Sequence, residues 1–171
     1  MTSTDPSAHS GAASASAPLS GDELETWSAL ATVLEWLPPV LDSQLQDGWG
    51  LTHFEFGILY ALSDAEGGTL PMSVLSEFAN STLSRLSRAV VRLERRGWVR
   101  RATALDDRRV TIAGLTESGA EVVVAAAPVH ADLVRHLVFD SLTDDQSRAL
   151  REISLRIAEA IRAESAWRPR R

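Results

Sequence analysis

Apolar residues recur at intervals of three and four from Leu24 onward. Leu24, Trp27, Leu30, Leu34, Leu37, Leu41 and Leu45 fall on one stripe, the spacing of an amphipathic helix. Pro38-Pro39 interrupts that stripe and removes two backbone donors, so one kinked helix is predicted. A second helix opens at Thr52-His53-Phe54-Glu55, a capping-box pattern, with Phe54, Ile58, Ala61 and Leu62 facing inward and Gly67-Gly68 at its end. A short helix follows over Pro71–Ala79, with Met72, Leu75 and Phe78 inward and Asn80-Ser81-Thr82 as the turn. The helix over Leu83–Arg96 places Leu83, Leu86, Val90 and Leu93 on one face and ends at Gly97. Trp98–Ala104 and Arg109–Ala113 read as two strands joined by a turn at 105–108. Thr116 caps a helix reaching Phe139, with Pro128 as the point of a bend. Thr143-Asp144-Asp145-Gln146 opens a last helix whose Leu150, Ile153, Ile157 and Ile161 face inward.

This order predicts a mainly α fold with a small β-hairpin wing, a winged helix-turn-helix bracketed by long helices. The first 20 residues are rich in Ser and Ala and bury little, which predicts a mobile tail ahead of a single domain over 21–171. Absence of cysteine excludes disulfides, thiolate metal sites and thiol redox sensing. No continuous run approaches the roughly 18 apolar residues of a membrane span. The N-terminus lacks the basic and apolar regions of a secretory signal. A soluble cytoplasmic protein without membrane contact is expected.

The net charge of −6 conceals an asymmetry. All 17 basic residues are arginine and the first is Arg85, so residues 1–84 carry 11 acids and no base. Residues 85–109 hold nine arginines against three acids. An acidic chain therefore carries a local anion-binding block.

That block falls on the helix over 83–96 and on the hairpin. Near the helix start, Ser84, Arg85, Ser87 and Arg88 can reach base edges in a major groove, where arginine pairs bidentately with guanine. Arg92, with Arg95 and Arg96, lies toward the end and suits phosphates or support of the wing. At the hairpin tip, Asp107-Arg108-Arg109 projects where a wing meets a minor groove. Asp107 would repel phosphate, so its expected role is to pair with a nearby arginine and stiffen the tip. Seen singly, these elements read as a solvated basic face and a charged turn. A short helix before them and a hairpin after them make a DNA-reading unit.

The run Arg92-Leu93-Glu94-Arg95-Arg96-Gly97-Trp98-Val99-Arg100-Arg101, the wing Asp107-Arg108-Arg109 and Leu115-Thr116-Glu117-Ser118-Gly119 together resemble the MarR family of transcriptional regulators. Leu51-Thr52 fits the start of that family's second helix, and the likeness covers about residues 22–165. Departures from the common pattern occur at Ser76, Ser81 and Trp98. The resemblance implies a homodimer reading a palindromic operator in double-stranded DNA, with about 21–47 and 115–165 as dimerisation helices and 52–114 as the DNA-binding lobe. It also implies a repressor released by a small aromatic ligand. By position, Ser84, Arg85 and Arg88 become the major-groove candidates, and Asp107 and Arg109 the wing pair. The long stripe Leu24–Leu45 agrees with dimerisation, since it needs more partner surface than a small lobe supplies. Glu23, Glu25 and Glu35 are expected to face Arg148, Arg151 or Arg156 across that interface.

Other residues carry less. His9, His53, His130 and His136 lack the spacing of a one-helix metal pair, so no metal and no cofactor is expected. Trp27, Trp36 and Trp49 are candidates to line a ligand pocket, though filling core and interface is the more ordinary role for each of them. No phosphate-binding glycine loop or nucleophile motif marks an enzyme. The competing reading is a helical dimeric interaction or ligand-carrying module without DNA binding.

Overall fold

The computed structural model describes residues 17–104 and 107–164. Most of the expected tail, the turn residues Leu105 and Asp106, and 165–171 lie outside the described residues. The chain forms two compact units that divide between Trp36 and Leu37.

Helix α1, Gly21–Trp49, contains both Pro38 and Pro39 and crosses that division. The second unit continues with α2 (His53–Asp64), β1 (Thr69–Pro71), α3 (Met72–Phe78), α4 (Leu83–Arg95), β2 (Val99–Thr103), β3 (Thr111–Leu115), α5 (Glu117–Val134) and α6 (Asp144–Ala163). A π-helical segment, Arg135–Phe139, extends α5. Four threonines start four of these helices. Thr52, Thr82, Thr116 and Thr143 each accept a hydrogen bond from the backbone N–H three residues on. Such caps are worth about 1 kcal/mol each.

The sheet has three strands rather than the two expected, in the order β1-β3-β2 and antiparallel throughout. β1 escaped sequence reading because three residues between Gly68 and Met72 are too few to show alternation. It becomes a strand only through its pairing Leu70↔Ala113 with β3. With partners on both sides, β3 also extends to Leu115 and begins later than expected, at Thr111.

The core lies in the second unit, with Leu45, Leu51, Ile58, Leu59, Leu62, Leu75, Leu86, Val90, Leu93 and Val99 fully buried. Helix α2 is its axis and is covered on more than one side. Phe56 and Leu59 are therefore buried along with Ile58 and Leu62, whereas Phe54 and Ala61 are only half-buried. Two inward assignments are overturned: Phe78 is 65% exposed and Leu83 is 51% exposed. The outer helices differ more. Leu150, Ile153, Ile157 and Ile161 on α6 are all exposed, as are Leu24, Trp27 and Leu34 on α1. Only Leu41 and Leu45 of the α1 stripe are buried.

A membrane-like segment also departs from expectation. Glu117–Phe139 is long and apolar enough, by length and composition, to cross a bilayer. Scattered polar residues hid it from a search for an unbroken apolar run. In the fold, Gly119, Val123, Ala126 and His130 of this helix turn toward α2 and the sheet.

At Gly119, α5 lies tightly against Trp98 and Leu115. A methyl group there would overlap the carbonyl of Trp98 and lie 2.9 Å from Leu115 Cδ1. Alanine favours a helix over glycine by about 1 kcal/mol, yet overpacking against backbone costs about 1–3 kcal/mol. Gly119→Ala is expected to lower the unfolding midpoint in urea; a rise would show that α5 can shift outward freely.

Candidate nucleic-acid interface

Helix α4 presents three lengthwise stripes, set by about 100° of rotation per residue. Leu86, Ala89, Val90 and Leu93 are buried against the core. Ser84, Arg88 and Arg95 point directly away from it, and all three are exposed. Among the described residues, Arg88 and Arg95 make no ion pair. The third stripe, Arg85, Arg92 and Arg96, runs along the side facing the start of α2.

Each arginine of this third stripe is engaged within the fold. The Arg85 guanidinium lies over the Phe54 ring, 4.2 Å from its centroid. Arg92 Nε donates to Glu55 Oε1 at 2.6 Å. Arg96 donates to the carbonyls of Gly50 and Trp49, at 2.8 and 2.9 Å, and stacks 3.9 Å from the Trp98 ring centroid. By sequence, Arg92 and Arg96 suit phosphates or support of the wing, and in the fold both also tie α4 to the start of α2 or the residues just before it. Arg92 and Arg96 lie seven and eleven residues from Arg85, a spacing that puts all three on one side of a helix. What they would meet was not legible.

Glu55 is the acid at the centre of this contact. Its side chain is 7% exposed while that of Arg92 is 54% exposed. Burial by itself would raise the pKa of Glu55. The backbone N–H of Thr52, the Arg92 guanidinium and the Thr52 hydroxyl outweigh it and hold the carboxyl below its ordinary value. The capping box read from sequence is therefore also half of an ion pair to α4.

The wing behaves similarly. Arg109 donates from its backbone N–H and Nε to Asp107 Oδ1, at 2.9 and 3.1 Å, and from its terminal nitrogen to Oδ2 at 3.2 Å. These bonds from Arg109 hold the Asp107 carboxyl below its usual pKa. The expected pairing of Asp107 with a neighbouring arginine is present, and the Arg109 side chain stays 91% exposed. Arg101 on β2 is held by Glu94, at 2.7 Å, which ties the wing to α4. Arg108 occupies the tip beside Arg109, exposed.

A cleft of about 600 Å³ opens beside α4. Asp42, His53, Phe54, Phe78, Arg85 and Arg88 are among its lining residues, and no tryptophan is. The expectation that Trp27, Trp36 and Trp49 form a pocket is not met by this cleft. Its walls come from the last part of α1, the start of α2 and the turn between α3 and α4, which only the fold brings together. Next to it, His53 and His130 stack with ring centroids 5.2 Å apart, and Phe56 packs on His130. Burial, aided by the neighbouring His53, pushes the His130 pKa down. Among the described residues no group of three or more metal-ligating side chains occurs.

Comparison with known proteins identifies the family of this fold. A model of the MarR family matches residues 49–110, from the end of α1 to the foot of β3. The crystal structure of Sco3205, a MarR family transcriptional regulator from Streptomyces coelicolor in complex with DNA, is 38% identical, with a TM-score of 0.84 over 88% of this chain and 94% of that one. This chain belongs to the MarR family. AbsC, another MarR family regulator from the same organism, is 34% identical over 87% of this chain and all of its own, with a TM-score of 0.83. YdcH, an HTH-type transcriptional regulator of Bacillus subtilis, is 33% identical over 81 residues, and the match spans 55% of its length. As a MarR family member the chain is a transcriptional regulator and not an enzyme.

The buried carboxylate makes a pH prediction. Because the folded-state pKa of Glu55 is lowered, its stabilisation is present above the ordinary carboxylate range and is lost as pH falls through the folded value. Urea unfolding from pH 7 downward should show a steeper acid loss in the native chain than in Glu55→Gln. Arg92→Ala, which strands the carboxylate, should cost about 1–3 kcal/mol at neutral pH. Equal acid slopes for the native chain and Glu55→Gln would remove the ion pair from the stability argument.

Proposed function

We propose that the protein is a homodimeric, sequence-specific DNA-binding repressor, released from its operator by a small molecule. The observation that carries DNA binding is the outward stripe of α4. Ser84, Arg88 and Arg95 stand clear of the fold, while the intervening arginines are occupied holding the helix in place. A basic edge with no acid partner among the described residues, on a helix of this width, suits a major groove. Arg108 and Arg109 on the wing suit a narrow minor groove alongside. Sco3205, at 38% identity, was crystallised with DNA, which supports the same partner here. Such a partner is met in the cytoplasm.

Dimerisation is supported by the apolar side chains that α1 and α6 leave uncovered in one chain. Residues 21–47 and 115–165 are the proposed dimer helices and 52–114 the DNA lobe. Burying a side chain such as Ile153, 54% exposed, is worth about 1.5–3 kcal/mol when complete. On α6, Arg148 and Arg156 already pair with Asp145 and Glu152 of the same helix, which leaves Arg151 the better partner for Glu23, Glu25 or Glu35. A palindromic site follows from two-fold symmetry.

The cleft beside α4 is the proposed ligand site. Arg85 and Arg88 on its wall suit an aromatic anion, with Phe54 and Phe78 beside them. A ligand seated there favours a spacing of the two lobes that fits DNA poorly, and release follows from that difference in affinity. Against a helical module that has lost DNA binding, nothing in such a module needs Arg88 and Arg95 exposed on one stripe.

The decisive experiment titrates the protein against its own upstream DNA at about 50–200 mM salt. Specific binding by an intact dimer is expected; its absence would overturn the regulator reading. Arg88→Ala should cost about 1–3 kcal/mol on the specific site and relax sequence preference. Equal losses on specific and random DNA would reduce Arg88 to a phosphate contact. Arg109→Ala should weaken binding most where the flanking minor groove is narrow, and an unchanged flank preference would pass that role to Arg108.

A further inference from the structure

The exposed face of α4 has two unlike flanks. On one side of the outward stripe run Arg85, Arg92 and Arg96, all committed to α2 and its approach. On the other side, Leu83, Ser87 and Val91 follow one another at four-residue steps, so the first part of that edge carries no charge, and Glu94 further along it is paired with Arg101. Ser87 and Val91 are half-buried, whereas Leu83 is open to solvent. Leu83 is the first residue of the helix, directly after the Thr82 cap, and it neighbours Ser84. An exposed leucine at this place does nothing for the cap, which the Thr82 hydroxyl supplies to the Arg85 N–H at 3.2 Å.

We infer that Leu83 is a specificity-determining residue that reads the 5-methyl group of a thymine in the major groove. The inference rests on the DNA reading above. Recognition helices present their first residues to base edges, and the thymine methyl is the apolar feature of the major-groove pattern. A leucine there gains only where a methyl is present to be buried against it. The flank arginines cannot substitute, because their guanidinium groups are turned to the opposite side. Arg88, one turn further along, then reads a neighbouring base while Leu83 sets which step must carry the thymine.

The test uses the full chain and a duplex bearing its specific site. Each thymine is replaced in turn by deoxyuridine, which keeps the base pairing and removes only the methyl. For the native chain, one thymine per half-site should cost about fourfold in affinity per methyl, the size expected for one buried methylene-sized group. Leu83→Ala should bind the thymine duplex more weakly and become indifferent to that same replacement. Leu83→Met, which keeps apolar reach, should retain most of the sensitivity. Leu83 is exposed, so unfolding midpoints of both variants should match the native chain. If no thymine couples to Leu83, or if Leu83→Ala loses equally on both duplexes, the role assigned to Leu83 is overturned while specific binding stands. If the native chain shows no specific binding at all, the regulator reading fails and this inference falls with it.

Discussion

One buried carboxylate positions the face this protein turns outward. Glu55 closes the cap of α2 through Thr52 and receives Arg92 from α4 at 2.6 Å. A charge removed from water is tolerable only when its lone pairs are filled, and here two elements fill them together. Neither helix can turn about its axis without breaking that arrangement. Arg85 on Phe54 and Arg96 on the Trp49 and Gly50 carbonyls extend the same contact above and below it. With one side of α4 fixed in this way and another buried, Ser84, Arg88 and Arg95 have one direction left, away from the core.

The charge distribution acquires a different meaning from that geometry. The net charge is −6, and the nine arginines between 85 and 109 looked like a uniform reading head. They divide by task. Arg85, Arg92, Arg96 and Arg101 hold helices and wing to one another. Arg109 braces the wing through Asp107 while remaining exposed. Arg88, Arg95, Arg100 and Arg108 are exposed and, among the described residues, make no ion pair. An acid partner offsets the charge of Arg92, Arg101 and Arg109, so the field offered to a polyanion is narrower than the count suggests.

The outer helices show the complementary situation. Periodicity marked an apolar stripe on α6, and a stripe is correctly a demand for a partner surface. The single chain does not meet that demand, because Leu150, Ile153, Ile157 and Ile161 remain open. The same reasoning misplaced Leu83 and Phe78. At a helix end, the neighbours that would cover an apolar position are absent, so spacing overstates burial there. The cleft beside α4 was invisible for another reason. Asp42, Phe54, Phe78 and Arg88 come from four separate stretches, and no spacing rule links them.

The sequence by itself determined the order of the helices, four of their starts, most of the inward row of α4 and the place of the basic block. Those follow from local causes: a threonine hydroxyl reaches a backbone donor three residues away, and apolar spacing repeats with the helix turn. Only the tertiary structure decided which arginines are spent on the fold, that β1 is a strand, and that Leu83 faces solvent. These depend on what sits across from a side chain, and a hydrogen bond or a buried contact is set by distances between segments that the order of residues does not contain.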